Sequence, residues 1–143
     1  MRKYFYLVSF KYRIDKQHES WLDLGVFSTK AKAEKKIQES SDKIGFKDYH
    51  RISFKISRIG VDFDFDIKDK SRVVLICVTH EYEKDKVTYW QIFDYFSTQT
   101  KAEERIEYLK KHSRIGRKFP TCFEIVDIKV DNYNAWSEGF IRC

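Results

Sequence analysis

The sequence is poor in proline, glycine and cysteine: its 143 residues include one Pro, five Gly and three Cys. Because 42% of the residues are hydrophobic and 17% are aromatic, the composition excludes a disordered chain and a coiled coil. No apolar run approaches the roughly 18 residues that span a membrane, so we expect no transmembrane segment. The cysteines are odd in number and lack C-x-x-C spacing, which favours a reducing, cytoplasmic setting. They are Cys77, Cys122 and Cys143.

The sequence also lacks a recognisable catalytic or metal-binding pattern. None of the four histidines has a Cys, an Asp or another His at ligand spacing, so surface or turn positions are expected for His18, His50, His80 and His112. The D-x-D-x-D pattern that begins at Asp62 lacks the Gly and the distal Glu of a calcium loop, and its interleaved apolar residues favour an edge strand. We therefore predict a non-enzymatic protein with no catalytic residue, no metal and no cofactor.

An internal duplication organises what is present. A shift of 69 residues places Trp21 on Trp90 and the tripeptide Phe27-Ser28-Thr29 on Phe96-Ser97-Thr98. The same shift places Lys32-Ala33-Glu34 on Lys101-Ala102-Glu103. The chain is thus predicted to contain a repeat at residues 1–62, a connector at 63–71, and a second repeat at 72–143.

Each copy has the residue pattern of a hairpin, a helix and a closing strand. Two stretches rich in aromatic and β-branched residues precede an amphipathic Lys/Glu/Ala-rich segment, at about 29–42 in the first copy and 98–112 in the second. Ser28 and Ser97 are placed as the helix N-caps. We predict an α+β fold of two tandem β-β-α-β repeats, mainly antiparallel, with one helix per repeat and strand order 2-1-3.

Three motifs resemble a small bacterial domain of unknown function: G-V-F-S-T-x-x-K-A-E from Gly25, G-F-K-D-Y from Gly45, and W-x-E-G-F from Trp136 to Phe140. The resemblance covers nearly the full chain, with G-F-K-D-Y only in the first copy and W-x-E-G-F only in the second. It implies no catalytic residues. Such domains recur beside bacterial toxin genes, so the resemblance suggests an immunity protein that neutralises a toxin. We also expect the terminal Trp136–Phe140 segment to dock on the fold.

Aromatic side chains provide the candidate protein-binding residues. The first strand is apolar on both faces, so one face packs on the helix and the other either packs on the second copy or binds a partner. Packing between the copies is the simpler explanation. If a partner binds, we expect its anchors to be Tyr4, Tyr6, Tyr12, Trp21 and Trp90.

Charge supports an alternative function. Lys and Arg number 28 against 22 Asp and Glu, which gives a net charge of +6. The densest basic cluster lies between residues 105 and 118, and helix-dipole pairing accounts for only some of it. The alternative is therefore a nucleic-acid-binding protein, or binding of an acidic partner, at this loop. The residues expected to contact phosphates or acidic groups are Lys110, Lys111, Arg114, Arg117 and Lys118.

Overall fold

The computed structural model describes residues 1–13, 19–43, 45–46 and 53–135. Within these ranges the chain forms six strands, three α-helices and a short 3-10 turn at Lys70–Arg72. In chain order the strands and α-helices are β1 (Arg2–Arg13), β2 (Glu19–Phe27), α1 (Lys30–Ser41), β3 (Phe54–Asp62), β4 (Val74–Lys84), β5 (Val87–Phe96), α2 (Gln99–His112), α3 (Arg114–Lys118) and β6 (Phe123–Lys129). The predicted α+β class is confirmed, and α1 and α2 begin and end within two residues of their predicted bounds.

The strands form two three-stranded sheets with the orders β2-β1-β3 and β5-β4-β6. The first strand of each hairpin is therefore central, as the sequence predicts. In both antiparallel hairpins the register shifts by one residue, between Val8 and Ser9 in β1 and between Val78 and Thr79 in β4. The extra residue is Leu24 in β2 and Phe93 in β5, and these two positions are 69 residues apart.

The chain divides into two compact units whose segments alternate along the sequence. One unit, called the α1 unit, contains Lys3–Gly60, Ile67–Val73 and the described residues from Lys129 onward. The other, called the α2 unit, contains Met1–Arg2, Val61–Asp66 and Val74–Ile128. Each unit thus includes a segment that begins within the last two residues of the other sheet's closing strand, β3 or β6.

The core of the α1 unit lies between its sheet and α1. Phe10 is fully buried, and its ring centroid lies 4.8 Å from that of Phe46 and 4.8 Å from that of Phe54. Ala33 and Ile37 supply the apolar face of the helix. The remaining members of this cluster are Val8, Leu24 and Phe27.

Thr29 and Thr98 cap the two helices, so the prediction of Ser28 and Ser97 is wrong. Thr29 Oγ1 accepts the backbone N–H of Lys32 at 3.2 Å, and Thr98 Oγ1 accepts that of Lys101 at 3.3 Å. Ser28 lies one position earlier and donates both its N–H and its hydroxyl to the carboxylate of Asp131.

Residues 130–135, called the C-terminal strap, follow β6 and pack on α1. The Asp131 carboxylate accepts the Ser28 N–H at 2.8 Å, the Ser28 hydroxyl at 2.7 Å and the Lys32 ammonium at 3.0 Å. Burial opposes the ionisation of Asp131, but these donors outweigh it, so the pKa of Asp131 lies below its ordinary value. The strap thereby places a negative charge at the N-terminus of α1, where the helix dipole favours one.

The rest of the strap is held by a buried lysine and an aromatic contact. Lys36 is only 2% exposed, and its ammonium donates to the carbonyl oxygens of Tyr133 at 2.9 Å and Ala135 at 2.6 Å. Burial lowers the pKa of Lys36. The Tyr133 ring lies 4.9 Å from that of Phe27, and its hydroxyl donates to the Lys32 carbonyl at 3.1 Å. The predicted docking of Trp136–Phe140 lies outside the described residues.

The segment after β3 does not form the predicted edge strand. β3 ends at Asp62, and residues 63–69 contain no strand. Phe63 is buried and donates its N–H to the Met1 carbonyl at 2.8 Å, whereas Phe65 is 67% exposed. The Lys101 ammonium pairs with the exposed carboxylate of Asp64 at 2.9 Å. The start of the 63–69 segment is therefore held by a backbone hydrogen bond from Phe63 to Met1 rather than by strand pairing.

The helix α3 was not predicted from the sequence. Ser113 Oγ accepts the N–H of Gly116 at 2.8 Å, which caps α3, and donates to the Leu109 carbonyl at 2.7 Å. A Cβ at Gly116 would lie 2.0 Å from the Leu109 carbonyl oxygen. This close approach of α3 to the end of α2 therefore requires glycine.

Candidate protein-binding surfaces

The clearest candidate surface is the outer edge of β5. This strand lies at the edge of its sheet, and five consecutive residues, 87 to 91, are exposed. The seven residues from Val87 to Phe93 carry no charge. The other edge strands do carry charges, such as Asp23 in β2, Lys55 in β3 and Asp127 in β6. Charged side chains discourage a sheet edge from pairing with another chain, and β5 lacks this protection along most of its length.

A two-residue turn presents this edge. Asp85 and Lys86 have φ angles of 54° and 66°, and they connect the paired residues Lys84 and Val87. Two left-handed central residues are typical of the type I′ turn that matches the twist of a hairpin. The turn sets the register, in which Tyr82 lies opposite Tyr89.

An aromatic stack supports one face of the hairpin. The Tyr82 ring stacks on that of Tyr89 with centroids 5.0 Å apart, and on that of Phe119 with centroids 4.4 Å apart. The ammonium of Lys118 lies 5.6 Å from the Phe119 centroid. Tyr89 remains 46% exposed, so the stack provides an aromatic surface beside the outer edge of β5.

His80 is buried beneath this stack, so the surface or turn position expected for it is wrong. Its ring is 2% exposed and lies 4.6 Å from the ring of Phe123, and Nε2 is 2.9 Å from the Phe119 carbonyl oxygen. His80 pairs with Gln91 in β5, and Phe10 pairs with Leu22 in β2. Leu22 and Gln91 are themselves 69 residues apart, so the two pairs are equivalent under the repeat shift. His80 thus occupies in the α2 unit the position that Phe10 occupies in the α1 unit, and the Phe119 carbonyl compensates its polar ring.

The predicted tryptophans are both exposed, Trp21 by 47% and Trp90 by 52%. Trp21 lies opposite Lys11 in its hairpin, and Trp90 lies opposite Glu81 in the other. The ammonium groups of Lys11 and Lys55 lie 5.8 and 5.9 Å from the Trp21 ring centroid, within the range of cation–π attraction.

Asp23 shares the Trp21 face of the sheet. Asp23 lies two residues after Trp21 and accepts the hydroxyl of Ser9 at 3.3 Å. Burial raises the pKa of Asp23, and the bond from Ser9 lowers it by less. The Ser9 hydroxyl therefore orients this carboxyl.

The predicted tyrosines lie in two environments. Tyr6 and Tyr12 pack against the core of the α1 unit, because alternation in β1 places them on the same face as Val8 and Phe10. Tyr4 is 40% exposed, and the Arg58 guanidinium lies 4.4 Å from its ring centroid.

The predicted basic residues lie on the last turn of α2 and on α3. Lys110 pairs with Glu107 at 3.2 Å, and Lys118 lies over Phe119 as noted above. The side chains of Lys111, Arg114 and Arg117 are exposed and form no ion pair within the described part of the chain. Three cations thus remain available to an anionic partner.

A shallow cleft of about 680 Å³ lies between α2 and β6. Its apolar lining includes Ile106, Phe123 and Ile125, and Glu103 and Lys110 lie beside them. Among the residues described, no three His, Cys, Asp or Glu side chains converge in a metal-binding cluster.

Comparison with known proteins gives no match to a family model, a curated protein or a solved structure. In the part of the chain that the structure describes, no helix combines the length and the apolar character that crossing a membrane requires.

Proposed function

We propose that this chain is a non-enzymatic protein-binding module whose β5 edge pairs with an extended segment of a partner protein. The observation that carries the proposal is the exposed, uncharged run from Val87 to Phe93 at the edge of a sheet. In strand addition, backbone hydrogen bonds supply affinity and alternating side chains supply specificity. Tyr89 and Trp90 point to opposite faces, so a paired strand meets one aromatic anchor on each face.

The aromatic stack favours this mode of binding because it limits the entropy lost on association. Tyr82 already stacks on both Tyr89 and Phe119 in the free chain, so little side-chain freedom remains to be lost there. The resemblance to a domain found beside toxin genes suggests that the partner is a toxin and that the chain acts as an immunity protein in the cytoplasm.

We also propose that the two hairpin–helix–strand segments arose by duplication. The support is the 69-residue sequence shift, the same central position of β1 and β4, and the matching extra residues Leu24 and Phe93. In this view the first segment ends near residue 62 and the second begins near residue 72. Residues 63–71 then connect them.

Selection of displayed peptides on the immobilised full chain tests the binding mode. We expect the enriched peptides to alternate β-branched or aromatic residues with polar ones, and to protect β5 amides from hydrogen exchange. Replacing Thr88→Lys and Gln91→Lys adds charges to the edge and should weaken binding at least tenfold, since charge disfavours edge pairing. The matched control is Val126→Lys, at a 40% exposed position on β6.

Peptides that bind equally well to the edge variant, or that leave β5 unprotected, would contradict the proposal. Submicromolar binding of generic RNA or DNA at physiological salt would instead support the nucleic-acid alternative. The observation that favours this alternative is the exposed group of Lys111, Arg114 and Arg117.

A further inference from the structure

The hairpin register fixes which backbone groups of β5 face its outer edge. In an antiparallel pair, hydrogen-bonded and non-hydrogen-bonded residue pairs alternate, and the residues that flank a two-residue turn form a hydrogen-bonded pair. Lys84 and Val87 flank the turn, so Trp90 belongs to a non-hydrogen-bonded pair with Glu81. The Glu81 N–H agrees with this register, because it donates to the Cys122 carbonyl at 3.2 Å, on the β6 side of β4.

The backbone N–H and C=O groups of Thr88, Trp90 and Ile92 therefore point away from β4, along the outer edge of the sheet. Thr88 and Trp90 are exposed, and Ile92 is half-buried. Residues 87 to 91 are exposed in the whole chain, so this edge is accessible to another strand.

These edge-facing residues are evenly spaced about Trp90. If two β5 strands pair antiparallel around a two-fold axis at Trp90, Trp90 lies opposite itself and Thr88 lies opposite Ile92. Each of these pairs exchanges two backbone hydrogen bonds, about six in all. An axis at Tyr89 or Gln91 joins fewer of the same groups, so the axis at Trp90 satisfies the edge best.

The side chains of β5 fit the same axis. The uncharged run from Val87 to Phe93 extends three residues on each side of Trp90, and it is bounded by Lys86 and Asp94. Both of these charged residues are exposed. Pairing about Trp90 brings Lys86 of one copy towards Asp94 of the other at both ends of the run, where opposite charges favour cross-strand association.

We propose that, when no other strand is bound, β5 pairs antiparallel with β5 of a second copy of this chain around a two-fold axis at Trp90. This inference rests on the proposed function, because it names a partner for the same edge. The two copies contribute the same strand, so the contact is closed and association stops at the dimer. An extended segment of another protein competes with the second copy for the edge.

Sedimentation of the full chain from about 5 to about 200 µM tests the proposal, because association makes the average mass depend on concentration. An interface of one strand per copy is small, so we expect a Kd in the micromolar range. The mass should rise from 17.3 kDa towards twice that value.

Hydrogen exchange measured by NMR at low and high concentration identifies the strand and its register. The amides of Thr88, Trp90 and Ile92 should gain protection as the concentration rises. Those of Tyr89 and Gln91 should change little, because they already bond to β4.

Charged variants at Trp90 test the position of the axis. Trp90→Lys and Trp90→Glu each place two like charges opposite one another, so each should associate at least about tenfold more weakly than the wild type. An equimolar mixture should associate more tightly than either variant alone, because Lys then faces Glu across the axis. Trp90 is 52% exposed, so both variants should fold, as circular dichroism checks. The control Val126→Lys, at a 40% exposed position on β6, should associate like the wild type.

A chain that stays monomeric while selected peptides protect the amides of Thr88, Trp90 and Ile92 overturns the dimer and leaves the proposed function intact. If neither a second copy nor a peptide protects these amides, both proposals fail. Association that survives both Trp90 variants overturns the dimer, and so do folded variants whose mixture associates no better than either one alone.

Discussion

Replacing Asp131→Asn tests whether the C-terminal strap stabilises the α1 unit. The Asp131 carboxylate accepts two hydrogen bonds from Ser28, which is only 5% exposed. Asn tolerates the left-handed φ of 60° at this position, so the substitution removes the carboxylate charge without adding backbone strain. The amide has one acceptor oxygen for two Ser28 donors, and a buried donor without an acceptor costs about 1–3 kcal/mol.

We expect the substitution to lower the free energy of unfolding by about 2 kcal/mol, which corresponds to roughly 4–8 °C in Tm for a chain of this size. The ion pair with Lys32 adds little to this loss, because the Lys32 side chain is 44% exposed. Chemical and thermal denaturation followed by circular dichroism measure both quantities. Asp64→Asn is the matched control: Asp64 pairs with Lys101 as Asp131 pairs with Lys32, but it is 74% exposed, so we expect almost no change.

The pH dependence gives a second readout. The folded pKa of Asp131 lies below the unfolded value of about 3.9, so its contribution is complete above that pH and is lost as pH falls through the folded pKa. The difference in stability between wild type and Asp131→Asn should therefore be constant near neutral pH and narrow below about pH 4. An Asp131 variant as stable as the Asp64 control, or a difference that does not change on acidification, would refute the reasoning.

Three further predictions concern single positions and the basic group. Gly116→Ala should lower the free energy of unfolding by more than about 2 kcal/mol, because its Cβ would overlap the Leu109 carbonyl; a Tm within 2–3 °C of wild type would contradict this. His80→Phe should retain wild-type stability to within about 1.5 kcal/mol, since Phe10 fills the equivalent position, whereas His80→Ala should lose about 2–4 kcal/mol. If both substitutions are equally destabilising in denaturant titrations, the equivalence is wrong. Replacing four of the cations of the basic group by alanine should leave peptide binding at the β5 edge unchanged. For any nucleic-acid binding, the slope of log affinity against log salt concentration should fall by nearly one per lost phosphate contact, as measured by fluorescence anisotropy. The four are Lys110, Lys111, Arg114 and Arg117.

Local patterns in the sequence were sufficient to predict the fold class, the bounds of α1 and α2, and the strand order. Periodicity and propensity act over a few residues, and a hairpin followed by a helix leaves few ways to place the next strand. The candidate site was only partly accessible in this way. Trp21 and Trp90 are exposed, but the same aromatic alternation placed Tyr6 and Tyr12 against the core, because alternation identifies two faces without saying which one is covered.

Long-range contacts decided the features that the sequence did not reveal. Ser28 and Thr29 are both good capping residues, and the choice between them depends on Asp131, which is 103 residues away from Ser28. His80 has a polar side chain, and only the nearby Phe119 carbonyl makes its burial favourable. The exposure of the β5 edge likewise depends on which strands pair. The sequence by itself determined the local elements, because their energetics are local; tertiary structure decided the caps, the buried histidine and the surfaces, because their partners are distant in the chain.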